Sequence, residues 1–149
     1  MNDKTYTARA SEIERHWFVV DATDQTLGRL ATRVAFVLAG KHKPTWSPNL
    51  DGGDHVIVLN AKKISVSAAK LTTKSYARHS GHPQGFKEEA LGKLLERRPE
   101  EVIRRAIKGM LPHNRLGAQQ IRKLKIYAGS DHPHQAQQPE PLALTETTA

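Results

Sequence analysis

Residues 17–40, WFVVDATDQTLGRLATRVAFVLAG, contain a strand, a turn and a helix in immediate succession. The run 17–20 is apolar at consecutive positions, which is typical of a strand covered on both faces, as in a parallel sheet. From Thr26 to Leu38 the apolar residues recur at intervals of three and four, which predicts an amphipathic helix that ends at Gly40. This stretch therefore predicts the strand–helix unit of an α/β fold.

Similar apolar runs occur at 56–59 (VIVL) and 124–128 (LKIYA), and each predicts a further buried strand. A more polar segment around 72–78 is a weaker candidate, suited to the edge of the sheet. Helices are predicted from about Glu88 to Arg97 and from Pro99 onward, and the second of them ends before Pro112. The alternation predicts a three-layer α/β/α fold with a small, about four-stranded, central parallel sheet, long basic loops and an extended C-terminal arm.

The chain of 149 residues is long enough for one domain with its own hydrophobic core. We expect a single domain over residues 1–141 and a disordered tail over 142–149, because the chain from His132 onward is polar, rich in proline and without periodicity. The N-terminus is polar, and the longest apolar runs are far shorter than the ~18 residues of a membrane span. These features predict a soluble, intracellular protein.

Basic residues outnumber acidic ones by 23 to 15, which gives a formal net charge of +8. Such a charge indicates a polyanionic partner, most often nucleic acid, or an anionic membrane surface. Many of the cations lie in loops that also contain Gly, Pro, Asn and His, a mixture that offers both charge and neutral donors to a phosphate backbone. The alternative is a solvated basic surface without a ligand, and the net charge favours nucleic-acid binding over it.

The segment 109–117, GMLPHNRLG, places a proline, an imidazole, an amide and a guanidinium in one bend. Pro112 ends the preceding helix sharply, so the three residues after it are expected to project from a rigid turn. Rigid donors lose less entropy on meeting a folded RNA, whose phosphates, 2′-hydroxyls and splayed loop nucleotides are its accessible groups. The alternative is that His113 and Asn114 only cap helix ends.

The candidate RNA-binding residues combine the loop cations, the imidazoles and two arginines that share one helix face. They are Arg29, Arg33, Lys41, His42, Lys43, Lys74, Arg78, His79, His82, Lys108, His113, Asn114, Arg115, Arg122, Lys123, His132 and His134. Trp46 lies in the unusually long connection 40–54 and offers a flat surface for a base, although packing of the ring against the protein is the favoured interpretation.

The sequence offers no thiol site and no convincing set of metal ligands. The chain has no cysteine, which excludes disulfides, thiolate metal sites and cysteine nucleophiles. The pairs His79 with His82 and His132 with His134 have no further ligands at a suitable spacing, so we predict no metal site.

The main alternative function is a small α/β enzyme that uses a nucleotide, because fold does not fix function. The turn before the first helix has one glycine, Gly28, where a dinucleotide site needs three, so no cofactor is expected there, and Thr23 or Asp24 is the expected helix cap. No arrangement of acids, or of Ser, His and Asp, indicates catalysis. A membrane-surface protein ranks last, since the apolar helix stripes should be covered by the sheet.

Seven segments resemble, in order, the universal large-subunit ribosomal protein L13 family in its bacterial form. They are HWFVVDA (16–22), LGRLA (27–31), GKHKPTWSPNLDGGDHVIVLNA (40–61), KSYARHSGHP (74–83), GMLPHNRLG (109–117), LKIYAG (124–129) and DHPHQAQQP (131–139). The resemblance implies a structural constituent of the large ribosomal subunit in the cytoplasm, which binds ribosomal RNA, joins early in assembly and supports translation. It also implies neighbouring ribosomal proteins as partners, and neither catalysis nor a cofactor.

Three positions depart from the family pattern. Ala69 precedes Lys70 where the family usually has a glycine, Gln84 replaces one of two glycines after the His-Pro pair, and Ala118 stands where arginine is common. The departures concern local turn geometry and one phosphate contact.

Overall fold

Eleven helices and strands follow one another in residues 8–142, the part of the chain that this computed structural model describes. They are β1 (Trp17–Asp21), α1 (Leu27–Ala39), β2 (His55–Leu59), α2 (Ala68–Thr73), β3 (Ser75–His79), β4 (Phe86–Ala90), α3 (Leu91–Arg97), α4 (Pro99–Met110), α5 (Arg115–Gln120), β5 (Leu124–Ile126) and β6 (Glu140–Pro141). Single 3-10 turns lie at Ala10–Glu12, Ala61–Lys63, Ile121–Lys123 and Gln135–Gln137. Of the predicted tail, all but Leu142 falls outside the described residues.

The central sheet has four parallel strands in the order β5-β2-β1-β6. β1 and β2 pair along their whole length, from Trp17 opposite His55 to Asp21 opposite Leu59. The middle of β2, residues 56–58, is fully buried, as expected for a strand covered on both faces. The mixed α/β architecture with its small parallel sheet confirms the predicted three-layer class.

The edge of this sheet is formed by a segment other than the one predicted. The edge strand is predicted around 72–78, but residues 72 and 73 end α2, and β3 pairs antiparallel with β4 in a separate hairpin. The edge strand is β6, in the C-terminal arm, which pairs with Phe18 and Val19. Beyond it, the Leu142 N–H donates to the Val19 carbonyl at 2.9 Å. A proline is tolerated at such an edge because only one side of the strand needs donors.

The hairpin also corrects the predicted helix over 88–97. Glu88, Glu89 and Ala90 pair with β3, so α3 begins only at Leu91. At the tip of the hairpin, Gln84 has φ +59°, in the left-handed region where the family pattern has a glycine. The strand pairing therefore shortens the predicted helix at its start, while Leu91, Leu94 and Leu95 keep their helical spacing within α3.

One apolar core joins α1, α4 and the sheet. Its fully buried members include residues of α1, β2 and α4, namely Leu30, Val34, Leu38, Val56, Val58, Ile103 and Ile107. The cap of α1 differs from the prediction, because Thr26 is the N-cap residue and its side chain makes no capping bond. Instead the Leu27 N–H donates to the Ser65 carbonyl at 3.1 Å, so a neighbouring segment satisfies the helix end.

The end of α1 and the start of β2 lie in very close contact. Gly40 adopts the left-handed conformation with φ +80°, which confirms it as the helix stop. The chain then doubles back, and a Cβ atom on Gly53 would lie 1.9 Å from the Leu38 carbonyl oxygen. Only a residue without a side chain allows these backbones to approach so closely.

We expect Gly53→Ala to lower the free energy of unfolding by about 2–3 kcal/mol, because the clash is with backbone that has to shift. Urea unfolding followed by circular dichroism measures the effect. Gly52→Ala is the matched control, since a Cβ there meets nothing within 4 Å, and its stability should change by less than ~0.5 kcal/mol. Equal losses in both variants would refute the close-contact explanation.

Candidate nucleic-acid interface

A buried carboxylate organises the connection between α1 and β2, residues 41–54. Asp54 is fully buried, and its Oδ1 accepts hydrogen bonds from the Lys43 ammonium at 2.6 Å and from the His16 N–H at 2.9 Å. Its Oδ2 accepts from His42 Nε2 at 2.7 Å. The Lys43 ammonium also donates to two backbone carbonyls. The polar ends of His42 and Lys43, both candidate RNA-binding residues, are therefore engaged within the protein.

Lys123 has a similar internal position. Lys123 is only 6% exposed to solvent. The ammonium donates to Asp51 Oδ1 at 2.5 Å and to the carbonyls of Gly53 at 2.9 Å and Leu38 at 3.3 Å. These three bonds use all the donors of a lysine. The structure thus places this candidate inside the protein, where it ties the connection 41–54 to the entry of β5.

The environment shifts the pKa of both groups, Asp54 and Lys123, below the ordinary value. Burial by itself raises the pKa of the Asp54 carboxyl, but the hydrogen bonds from Lys43, His16 and His42 and the charge of Lys43 hold the pKa below its ordinary value. Burial lowers the pKa of the Lys123 ammonium, and Asp51 opposes that shift only in part. The Asp54 carboxylate is consequently charged throughout the physiological range.

The bend after α4 is fixed at both ends. Pro112 follows the helix, and Asn114 is the N-cap of α5, where its Oδ1 accepts from the Gly117 N–H at 2.9 Å. The side-chain oxygen of Asn114 therefore caps a helix end, which is the alternative role considered for this residue. His113 and Arg115 are exposed. The bend presents an imidazole and a guanidinium from a backbone that is held in place.

Two concave surfaces flank Pro112. The first, which we call the bend cavity, has a volume of about 410 Å³ and is lined by Lys108, His113 and Asn114 around an apolar floor. It brings three candidate RNA-binding residues together.

The second, which we call the apolar groove, has a volume of about 730 Å³. It lies between α1, the connection 41–54, the end of α4 and α5, and its lining includes Thr32, Phe36, Trp46, Met110, Leu116 and Gln120. The ammonium of Lys41 lies 5.7 Å from the centre of the Trp46 ring. The ring itself is exposed, so the favoured packing against the protein is incomplete.

The remaining candidates lie on the surface of other elements. Lys74, Arg78, His79, His82 and Arg122 are exposed, on or next to the β3–β4 hairpin and in the turn before β5, whereas Arg29 and Arg33 lie on α1, exposed and half-buried respectively. The structure therefore spreads the seventeen candidates over several surfaces and gathers only some of them in one place.

The two imidazoles of the C-terminal arm belong to an aromatic cluster on the sheet. Trp17 stacks on His55 with 4.2 Å between ring centres, and the His134 ring lies 5.2 Å from Trp17. His134 Nε2 is hydrogen-bonded to the Tyr127 hydroxyl at 2.8 Å, and the His132 ring stacks on His134. His134 thus anchors the arm to the sheet.

The fold brings together a group of cations that the sequence pattern does not predict as one site, although Arg78 is itself a candidate. A polar cavity of about 570 Å³ lies between the β3–β4 hairpin, α3 and α4, and Arg78, Lys87, Arg97, Arg98 and Arg105 line it. Two of these pair with acids: Arg97 Nη2 lies 2.7 Å from Glu89, and Arg105 Nε lies 2.8 Å from Glu101. Helical spacing puts Arg105 outside the apolar stripe of α4, but the partner elements become adjacent only in the tertiary fold.

The structure adds two observations on other kinds of site. Within residues 8–142, no three His, Asp or Glu side chains come together as a metal site would require, and no helix has the length and apolar character to cross a membrane. At the turn between β1 and α1, the Leu27 N–H donates to the Ser65 carbonyl, so this donor of the helix end is not available to a phosphate.

Comparison with known proteins gives the family. A family model described as "Ribosomal protein L13" matches residues 15–133. The chain belongs to this family. Its relatives include the large ribosomal subunit protein uL13 of Symbiobacterium thermophilum, 59% identical over 142 residues, which cover 95% of this chain and 99% of the relative.

Two further relatives of the L13 family carry the same description. The large ribosomal subunit protein uL13 of Prochlorococcus marinus is 60% identical over 137 residues, 92% of this chain and 96% of the relative. That of Mycolicibacterium smegmatis is 56% identical over 142 residues, 95% and 97% of the two chains. The similarity therefore extends over almost the full length of both partners in each comparison.

We expect Asp54→Asn to lower the free energy of unfolding by about 3 kcal/mol at pH 7, because it removes the buried counter-charge of the partly buried Lys43 ammonium. Since the pKa of Asp54 is lower in the folded protein, its contribution is fully present above the unfolded pKa of ~4 and is lost as the pH falls through the folded pKa.

Urea unfolding at a series of pH values measures this. The difference between wild type and Asp54→Asn should be constant above pH ~5 and should shrink below pH ~4. Asp131→Asn, at an exposed position, is the control and should show no such difference. A gap that stays the same at every pH would show that the carboxylate charge is not the cause.

Proposed function

We propose that the chain is a structural constituent of the large ribosomal subunit, located with the ribosome in the cytoplasm, that binds ribosomal RNA and supports subunit assembly and translation without catalysing a reaction. The observation that carries this proposal is its membership of the L13 family, matched over residues 15–133. The identity of 59% over 99% of a large-subunit relative supports it across the whole domain, residues 8–141 of which the structure describes.

The basic side chains divide into two groups under this proposal. Those that point outward from fixed backbone, such as Arg115 and Lys108, contact phosphates and riboses of the RNA. Those whose ammonium groups are used internally, Lys43 and Lys123, position the connection 41–54 instead. Support for the division comes from burial and from the hydrogen bonds already made, because a lysine with three internal partners has no donor left for RNA.

The bend cavity is the centre of the proposed RNA surface. Lys108 comes from the last turn of α4, and His113 follows Pro112, so two structural elements place both side chains around one concavity. The backbone between them is held by the proline and by the Asn114 cap. Because the donors are ordered before binding, little of the interaction free energy is lost in ordering them.

Exposed basic and imidazole side chains of the β3–β4 hairpin form a second part of the proposed RNA surface, separate from the bend cavity. Arg78, His79 and His82 lie at the exposed end of the hairpin. The mixture of paired and unpaired charges in the cavity beside it also suits the polar rim of a contact with a neighbouring ribosomal protein. We therefore include neighbouring large-subunit proteins among the partners.

We expect the double substitution His113→Ala with Arg115→Ala to weaken binding to deproteinised large-subunit rRNA by at least about tenfold, because two donors, one of them charged, are removed. Its unfolding free energy should stay within ~0.5 kcal/mol of wild type, since both side chains are exposed. Filter binding and urea unfolding measure the two quantities.

Asn114→Ala tests the capping role of the amide within the same bend. Loss of the cap on Gly117 should cost about 1 kcal/mol of stability. If the double substitution unfolded the protein while the folded fraction kept its affinity, the bend would be a structural element only.

Salt dependence separates the outward cations from the internal ones. With ~6 to 8 phosphate contacts, log K against log salt should have a slope of about −4 to −7. Arg122→Gln, at an exposed position, should reduce this slope by about one unit. Lys123→Gln, at the buried neighbour, should lower stability and leave the slope unchanged, provided that circular dichroism shows a folded protein at the assay temperature. A flat wild-type dependence would argue against phosphate contacts as the main attraction.

A further inference from the structure

Three large apolar side chains remain exposed on the walls of the apolar groove. Phe36 on α1 is 45% exposed, Trp46 in the connection 41–54 is 42% exposed and Met110 at the end of α4 is 47% exposed. They belong to three separate elements that the fold brings to one place. Aromatic and methionine side chains exposed together in one concave surface mark a binding site more often than a solvated surface.

One residue of the groove lining has a buried polar atom without a partner. Gln120 is 2% exposed and contributes to the lining. Of the buried side-chain polar atoms in residues 8–142, its Oε1 and Nδ1 of His55 are the two without a hydrogen bond. A buried acceptor without a donor is unfavourable. Because the Oε1 atom has almost no accessible surface, a ligand donor in the groove reaches it once the amide group rotates toward the groove.

We propose that the apolar groove binds one unpaired nucleotide of the ribosomal RNA, with its base against Trp46 and Phe36 and a donor on the edge of the base hydrogen-bonded to Gln120 Oε1. The inference rests on the proposed function and names a subsite within it. Unstacked RNA bases are recognised by this combination of aromatic stacking and hydrogen bonds to their edges. The volume of about 730 Å³ lies in the range of sites that hold small ligands.

The charges at the groove favour a nucleotide over an apolar side chain of a protein partner. The ammonium of Lys41 lies at the Trp46 ring, where it can meet the phosphate next to an inserted base. An apolar side chain would fill the volume but leave Gln120 Oε1 without a donor. In addition, Leu111 and Pro112 line both the apolar groove and the bend cavity, so the two sites form one continuous surface.

The first test separates stability from binding. Gln120→Met removes the unpaired acceptor, so the variant should be as stable as wild type or more stable. Its affinity for deproteinised large-subunit rRNA should nevertheless fall roughly tenfold, and Trp46→Ala should lower affinity by about 5- to 100-fold, the range for loss of one stacked base. Gln119→Met, at the exposed neighbour on the same helix, is the matched control and should bind as wild type.

The second test detects the stacking directly. In a Trp17→Phe background, Trp46 is the remaining tryptophan, and its emission should be quenched by the rRNA. Heparin, which carries negative charge without bases, should bind the basic surface and leave the emission unquenched. Equal changes with both polyanions would overturn the proposal.

The outcomes distinguish this inference from the proposed function. If wild type, Gln120→Met and Trp46→Ala bind rRNA equally, the nucleotide subsite is wrong and the RNA-binding function stands. If those variants bind rRNA normally but are not incorporated into large-subunit particles, the groove binds a segment of a neighbouring protein and not a nucleotide. That outcome overturns the proposal. If wild type itself fails to bind rRNA, the proposed function fails and the subsite with it.

Discussion

The carboxylate of Asp54 holds together parts of the protein that the backbone alone leaves independent. It joins the amide that precedes β1, through His16, to the connection 41–54, through His42 and Lys43. An isolated buried carboxylate would be strongly unfavourable, and this one is tolerated because three donors converge on its two oxygens. With the connection fixed in this way, Lys41 and Trp46 lie beside the end of α4, and the apolar groove has its outer wall.

A count of basic residues does not separate cations that bind a partner from cations that stabilise the fold. Arg122 and Lys123 are adjacent in the sequence and have the same formal charge, yet one is exposed and the other has all its donors bonded inside the protein. The difference arises because the 3-10 turn directs neighbouring side chains to different sides, one of which faces Asp51. Burial is a property of the tertiary fold, and local sequence gives no access to it.

Elements specified by local periodicity were predictable, and those specified by distant pairing were not. The two central strands and helices α1 and α4 have apolar patterns that fix their type and inner face. β6 consists of Glu140 and Pro141, two residue types that are uncommon in strands, and it becomes a strand only because β1 offers an unpaired edge.

The candidate site shows the same limit. The bend was identifiable from its proline, but the groove beside it needs side chains from α1 and α5 that are far apart in sequence. A signal for the buried network was present in the two acids that flank Gly52 and Gly53, since charged residues at the entry of an apolar strand need internal partners.

The pairing of acids within the protein also shapes the field that a partner meets. Asp51 and Asp54 face inward and bind lysines, while Glu89 and Glu101 are paired with arginines beside the hairpin. Each of these four pairs contains one acid and one base and has no net charge, so the net charge of +8 is carried by the remaining side chains. Lys41, Arg115 and Arg122 are among those remaining cations, and all three are exposed. A net positive charge outside the internal pairs favours the approach of a polyanion over longer distances. The same acidic side chains that fix the connection 41–54 and the hairpin therefore determine which basic residues are used inside the protein.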